Sequence, residues 1–158
     1  MATTRTLANI KRRHYRVLHR TPAAYVRPTT AGLFTTFLAT FTEMGYCRDK
    51  TIKVELTPAE KENLDTGAEL NMGFNGHLEF LLLQSMAADY TDYETIEGVA
   101  QDLLFFSEVG DMVIFVPNAI LSFKESTVSG EIQSMQAEWN ATNLGTKLAF
   151  RDRFAEPV

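Results

Sequence analysis

The chain has 158 residues, 45% hydrophobic and 22% charged, an ordinary balance for one soluble globular domain with a sizeable core. No apolar run reaches the roughly 18 residues that span a bilayer as a helix, and the single Cys47 excludes an internal disulfide framework and a cysteine-based metal cluster. The net charge of −5 hides a division: residues 1–31 carry Arg5, Lys11, Arg12, Arg13, Arg16, Arg20 and Arg27 with no acid, which leaves eight basic and all 20 acidic residues, a net of −12, to residues 32–158.

That division sets the expected organisation, a basic N-terminal arm (1–31) attached to an acidic domain (32–158). Arm composition fits a transit peptide, a nucleic-acid or membrane-surface contact, or docking on the acidic body of a neighbouring copy. Docking is the favoured expectation. Within the arm, Leu7, Ile10, His14, Val17 and Leu18 fall at helical spacing and predict a short basic helix over residues 6–19. Pro22 and Pro28 then force extended backbone. Leu33, Phe34, Phe37, Leu38, Phe41 and Met44 form an i, i+3/i+4 stripe closed by Gly45, which predicts a helix despite the β-favouring Thr35, Thr36, Thr40 and Thr42.

From Thr51 the period changes to two. Ile52, Val54 and Leu56 alternate with polar residues as a half-exposed strand does. The sequence from Thr57 to Glu60 has the form of a capping box but leads into polar residues, so a turn or loop is expected there. Ala68, Leu70, Met72 and Phe74 alternate up to Asn75-Gly76, the favoured dipeptide of a two-residue hairpin, and Leu78, Phe80 and Leu82 continue beyond it. Thr91-Asp92-Tyr93-Glu94 predicts a helix start, with Tyr93, Ile96, Ala100, Leu103 and Leu104 on one face and Gly98 inside. Two apolar runs, 112–116 and 119–123, flank Pro117-Asn118 and read as two strands. In a third run Ile132 lies on the even face, whereas Met135, Ala137, Trp139 and Ala141 lie on the odd one, a switch that needs a bulge or a change of packing partner. Leu148, Phe150 and Phe154 predict a last strand. The fold class expected is mainly β (α+β): a β-sandwich or barrel of about six or more strands with one packed helix and the basic arm.

Chemistry is sparse. His14 and His19 are five apart in a basic segment, and His77 sits two residues from Glu79, a pattern of a solvated pair rather than a metal site. None of the nucleophile-elbow, phosphate-loop, dinucleotide or zinc-protease motifs occurs. Ser122, Ser126, Ser129 and Ser134 have no nearby histidine, and Asp89 and Asp92 lack a calcium site's ligand count. The expectation is a protein that is not an enzyme, with no catalytic, cofactor or metal residue; a small barrel with a pocket near His77 is the least favoured alternative. Leu81, Leu83 and the run 112–116, with Val113 and Phe115, put apolar groups on both faces of their strands. Either both faces are covered, or part is an interface, and with few helices available the interface is preferred. Arg12, Arg13 and Arg16 are the arm residues expected in it.

Some pieces recur in a familiar order. Gly45-Tyr46 precedes TIKVEL; Asp65-Thr66-Gly67-Ala68-Glu69 precedes HLEFLLLQ; VIFVPNAILS and SGEIQSMQAEWNA follow. Over roughly residues 43–150 this order resembles the tail-tube proteins of long-tailed bacteriophages, by pattern rather than by one diagnostic motif, and the basic start departs from the family's usual opening. The resemblance implies a virion structural protein of the tail, assembled in the host cytoplasm. Its β-sandwich subunits would form a ring, a hexamer in the family, and rings would stack into a tube that conducts the genome. Implied partners are copies of the chain, other tail or connector proteins, and double-stranded DNA in transient, non-specific passage, with no membrane and no cofactor. Glu55, Glu69, Glu79, Glu131 and Glu138 are then the expected lumen-facing residues, because a conduit must not bind phosphate. Alternatives are a tail terminator or head–tail connector ring, and a nucleic-acid-binding module using the arm.

Overall fold

A computed structural model describes residues 14–48, 51–59, 61–63, 69–71, 73–83, 87–107, 112–126 and 134–157. Its framework is one strongly bent antiparallel sheet whose two halves face each other, so the chain is mainly β, a β-sandwich with helices added, as expected. The first half runs, in spatial order, β11 (Asp152–Ala155), β8 (Met112–Ile120), β7 (Ala100–Ser107), β1 (His14–Arg20) and β2 (Thr42–Arg48). The second runs β3 (Lys53–Pro58), β6 (Phe74–Leu83), β10 (Ser134–Leu144) and β9 (Ser122–Ser126). They join where Tyr46 of β2 pairs with Leu83 of β6. Strands β4 (Lys61–Asn63) and β5 (Glu69–Asn71) continue the β3–β6 ladder in the same register, beyond the bond from the Ala59 amide to the Gly73 carbonyl.

The main core lies between the halves. Val17, Leu103, Phe105 and Val116 from one meet Leu78, Phe80, Leu82, Met135 and Ala137 from the other, and the Phe80 and Phe105 rings touch edge to face at 5.1 Å. Helix α2 (Ala87–Ile96) closes this core with Tyr93, stacked on Phe123 at 5.1 Å, and Ile96. A second core lies on the opposite side of the first half, under helix α1 (Ala31–Ala39), where Phe34 joins Leu18, Leu104, Phe106, Val113, Phe115 and Phe154. Thr30 caps α1 by accepting from the Leu33 amide at 3.2 Å.

Helix, sheet and sheet thus make three layers, and the middle one is covered on both faces. This explains several departures from the expected elements. Strand β1 sends Val17 into one core and Leu18 into the other, so its apolar residues are adjacent and mimic a helical stripe. The predicted helix over 6–19 is therefore a strand from His14 onward, with residues 6–13 outside the described ones. The stretch 14–20 is an interior strand between β2 and β7 rather than part of an arm, so removing residues 1–31 would remove the middle of a sheet. Leu103 and Leu104 of β7 divide between the cores in the same way; α2 ends at Ile96, and Gly98 (φ +73) makes the turn into β7 instead of sitting inside a helix. The stripe from Leu33 likewise ends at Ala39, and Met44 belongs to β2. Gly45 (φ +154) lies at a β-bulge opposite Val17 and Leu18.

Pro117-Asn118 is a bulge within one strand, not a break between two: β8 runs through it, Asn118 takes φ +51, and pairing with β7 shifts register there. Asn75-Gly76 is no hairpin turn. Strand β6 passes straight through it, with Gly76 paired to Leu56 and Ala141. The glycine is required by a close approach, because a Cβ there would lie 2.4 Å from the Phe150 ring. The final apolar segment splits into a 3-10 turn (Lys147–Ala149) and β11.

Candidate functional site

Parity along the second half-sheet points Leu78, Phe80, Leu82, Met135 and Ala137 into the core, which leaves Lys53, Glu55, His77, Glu79, Leu81, Gln136, Glu138, Asn140, Ser122 and Lys124 on the other face. No described element covers that face. Cross-strand register arranges it in rows. One row reads Lys53–Glu79–Glu138–Ser122, the next Glu55–His77–Asn140, and on the other side lie Leu81–Gln136–Lys124.

Glu79 and Glu138 stand directly opposite each other on β6 and β10. Like charges so placed repel, and here each is held by its own donors. Gln136 Nε2 donates to Glu79 Oε1 at 2.6 Å, and His77 Nε2 lies 3.2 Å from Glu79 Oε2. Asn140 Nδ2 donates to Glu138 Oε1 at 3.3 Å. Lys53 and Lys124 approach Glu79 and Glu138 only to 4.0 and 3.9 Å, from the two outer strands. His77 Nδ1 lies 2.6 Å from Asn140 Oδ1. Its bonds to Asn140 and then Glu79 favour the protonated ring and raise its pKa above the ordinary histidine value. The result is a fixed array of carboxylates on an open sheet surface, without a nucleophile and base in hydrogen-bond contact.

Of the expected lumen residues, Glu55, Glu79 and Glu138 share this face. Glu69 is on β5, opposite Asn63 in the continuation of the β3–β6 ladder, with its side chain outside the described ones, and Glu131 lies outside the described residues. Leu81 is half-buried on the same face; the Leu83 side chain is outside the described ones. Val113 and Phe115 are 0% and 1% exposed beneath α1, and Val116 and Ile114 pack towards the other core, so 113–116 is covered on both sides by its own chain, whereas Met112 is exposed. That coverage corrects the preference for an interface there: Val113 and Phe115 have no surface left to offer a second copy in this conformation.

The described basic residues of the N-terminal segment pair within the chain. Arg16 reaches Glu43 at 3.3 Å; Arg12 and Arg13 lie outside the described residues. Arg20 Nε donates at 3.0 Å to Asp102, a buried carboxylate that also accepts from the amides of Ala23 at 3.2 Å and Asn118 at 3.1 Å. The Arg20 guanidinium lies over the Phe41 ring, 4.7 Å from its centroid. Arg27 and Tyr25 both bond to buried Asp152, and Tyr25 stacks on Phe115 at 4.0 Å. Burial alone would raise the Asp152 pKa, but the bonds from Arg27 and Tyr25 outweigh it and hold the carboxyl below its ordinary value. These pairs fasten the segment 21–30 across the first half-sheet. The sequence carried a signal for Asp102, an acid set in the apolar run 100–106; for Asp152, between two arginines, it carried none. Cys47 is buried, and burial pushes its thiol pKa up.

No protein-family model matches the chain, and no curated protein is significantly similar to it.

Proposed function

We propose that this chain is a ring-forming structural subunit of a phage tail tube. Copies close into rings, the rings stack, and the hollow assembly conducts double-stranded DNA. The observation that supports this most is the uncovered face of β3, β6, β10 and β9, where two glutamates are held directly opposite each other by amide donors. Such a pairing weakens an ordinary sheet. With three glutamates against Lys53 and Lys124, the face suits the wall of a channel in which the central carboxylates repel phosphates and limit the counterion-releasing contacts that would stall DNA.

Two further features agree. The half-sheet ends at one side in the edge strand β3, and strand addition by a neighbouring copy removes such an edge. Arg16, Arg20 and Arg27 are already paired with acids of their own chain, which speaks against a DNA-binding module built on them. Other tail or connector proteins would meet the ends of the tube, and a ring that never stacks would instead indicate a terminator or connector. Size-exclusion chromatography with light scattering on the purified full chain tests the reading. Concentration-dependent rings or tubes are expected; a compact monomer at millimolar concentration refutes it.

A further inference from the structure

We propose that His77 is a proton switch in the open face of β3, β6, β10 and β9. With a proton on both ring nitrogens it holds Asn140, and through Asn140 it holds Glu138; on losing one proton it releases Glu138. The switch itself rests on the register and hydrogen bonds of this face, whereas its consequence for passing DNA rests on the tail-tube reading.

The bonds fix the direction of each group. His77 Nδ1 lies 2.6 Å from Asn140 Oδ1, and His77 Nε2 lies 3.2 Å from Glu79 Oε2. A carboxylate oxygen and an amide carbonyl oxygen only accept, so both contacts are hydrogen bonds in the imidazolium alone. The Asn140 amide is held in this orientation, because its Nδ2 donates to Glu138 Oε1 at 3.3 Å. Protonated His77 thus completes a chain from Glu79 through His77 and Asn140 to Glu138, which ties together two carboxylates opposed across β6 and β10.

Neutral imidazole has one N–H. Keeping it on Nε2, where the acceptor is charged, turns the Nδ1 lone pair on Asn140 Oδ1. Half a turn of the Asn140 amide relieves that contact, since Nδ2 then donates to Nδ1. The same turn points Oδ1 at Glu138, where two acceptors cannot bond. Among the described residues Glu138 then keeps Lys124, 3.9 Å away on β9. The other charged groups around the ring are Glu55, directly opposite on β3, and Lys53 opposite Glu79. Two lysines and three glutamates give the face one net negative charge per copy, and the His77 proton cancels it. The His77 and Glu79 side chains are 30% and 27% exposed, so the proton exchanges with solvent. Their bonds raise the histidine pKa above its ordinary value, which extends the protonated state towards neutral pH. In a channel wall each copy therefore passes from neutral to net negative as pH rises through that value, and repulsion of phosphate is strongest on the alkaline side.

NMR of the full chain tests the switch, in solution or by magic-angle spinning where the protein is assembled. Below the His77 midpoint both ring nitrogens should carry protons. As pH rises through it, the Asn140 side-chain amide and the Glu138 carboxyl carbon should shift with the same midpoint as the ring. In Asn140→Ala the ring should still titrate, at a lower midpoint, while the Glu138 shift loses most of its amplitude; circular dichroism checks that this variant is folded. An Asn140 amide that ignores the ring in the unmodified chain, or a Glu138 response that survives Asn140→Ala in full, overturns the switch and leaves the tail-tube reading untouched. A chain that shows the coupling but stays monomeric overturns that reading and leaves the switch standing.

Discussion

Replacing Asp102 by alanine should be among the most damaging single changes in this chain. The carboxylate is 1% exposed and binds three donors: Arg20 Nε, the Ala23 amide and the Asn118 amide at the β8 bulge. Its removal leaves the Arg20 charge, itself 10% exposed, without its counter-ion, at about 3–5 kcal/mol. Each orphaned amide adds roughly 1 kcal/mol, less where water enters. The aromatic rings around the guanidinium recover part of this, so the expected loss is about 4 kcal/mol against a total stability of order 10 kcal/mol. With a urea m-value of roughly 2 kcal/mol/M, the unfolding midpoint should fall by about 2 M at unchanged m. An Arg20→Met/Asp102→Leu chain removes the uncompensated charge but not the orphaned amides, so it should recover only about half of the loss. A midpoint shift below about 0.5 M for Asp102→Ala would refute the assignment of Asp102 as the point that fixes both the N-terminal segment and the bulge.

Gly76→Ala should destabilise by about 1–3 kcal/mol, because its Cβ would enter the Phe150 ring; the penalty measured by thermal melts should shrink in a Phe150→Leu background, and an unchanged penalty contradicts the close-approach explanation. His77 should titrate above the ordinary histidine pKa by NMR and move down in Glu79→Gln. Since its folded pKa is raised, the stabilisation it brings is complete below the unfolded value and fades as pH rises through the folded one. Asp152 has the opposite sign: its folded pKa is lowered, so its contribution is present above the unfolded carboxylate value and is lost as pH falls through the folded one. The stability difference between the unmodified chain and Asp152→Asn should therefore shrink in urea melts taken from pH 5 downward. Deleting residues 1–20 should abolish cooperative unfolding, since β1 pairs on both sides; a truncated chain that still melts cooperatively would show β1 to be dispensable.

Local pattern exposed those parts of the fold where one side of a strand meets water. The alternation of Val54 and Leu56 marks β3, and the odd-face set Met135, Ala137 and Ala141 marks β10; all face the core as read. It failed where a strand is buried on both sides. In β1 and β7 the two cores impose apolar residues at adjacent positions, and Val17-Leu18 and Leu103-Leu104 then resemble the edge of a helical stripe. Two local signals also carried the wrong physical meaning. Gly76 is small because of a ring far away in sequence, and Pro117 bends a strand without ending it. Within the site, Glu55, Glu79 and Glu138 were legible as acids on strands, but their common face depends on register across β3, β6 and β10, which no single strand encodes. Pairing of Arg20 with Asp102 and of Arg27 with Asp152 spans sequence separations of 82 and 125 residues, beyond any local pattern.

The most direct test of the central claim is an electron-microscopy reconstruction of the assembled full-length protein. A hollow tube with Glu55, Glu79 and Glu138 lining its channel is the predicted result. An assembly that turns this face outward, or seals it against another protein surface, would contradict the account.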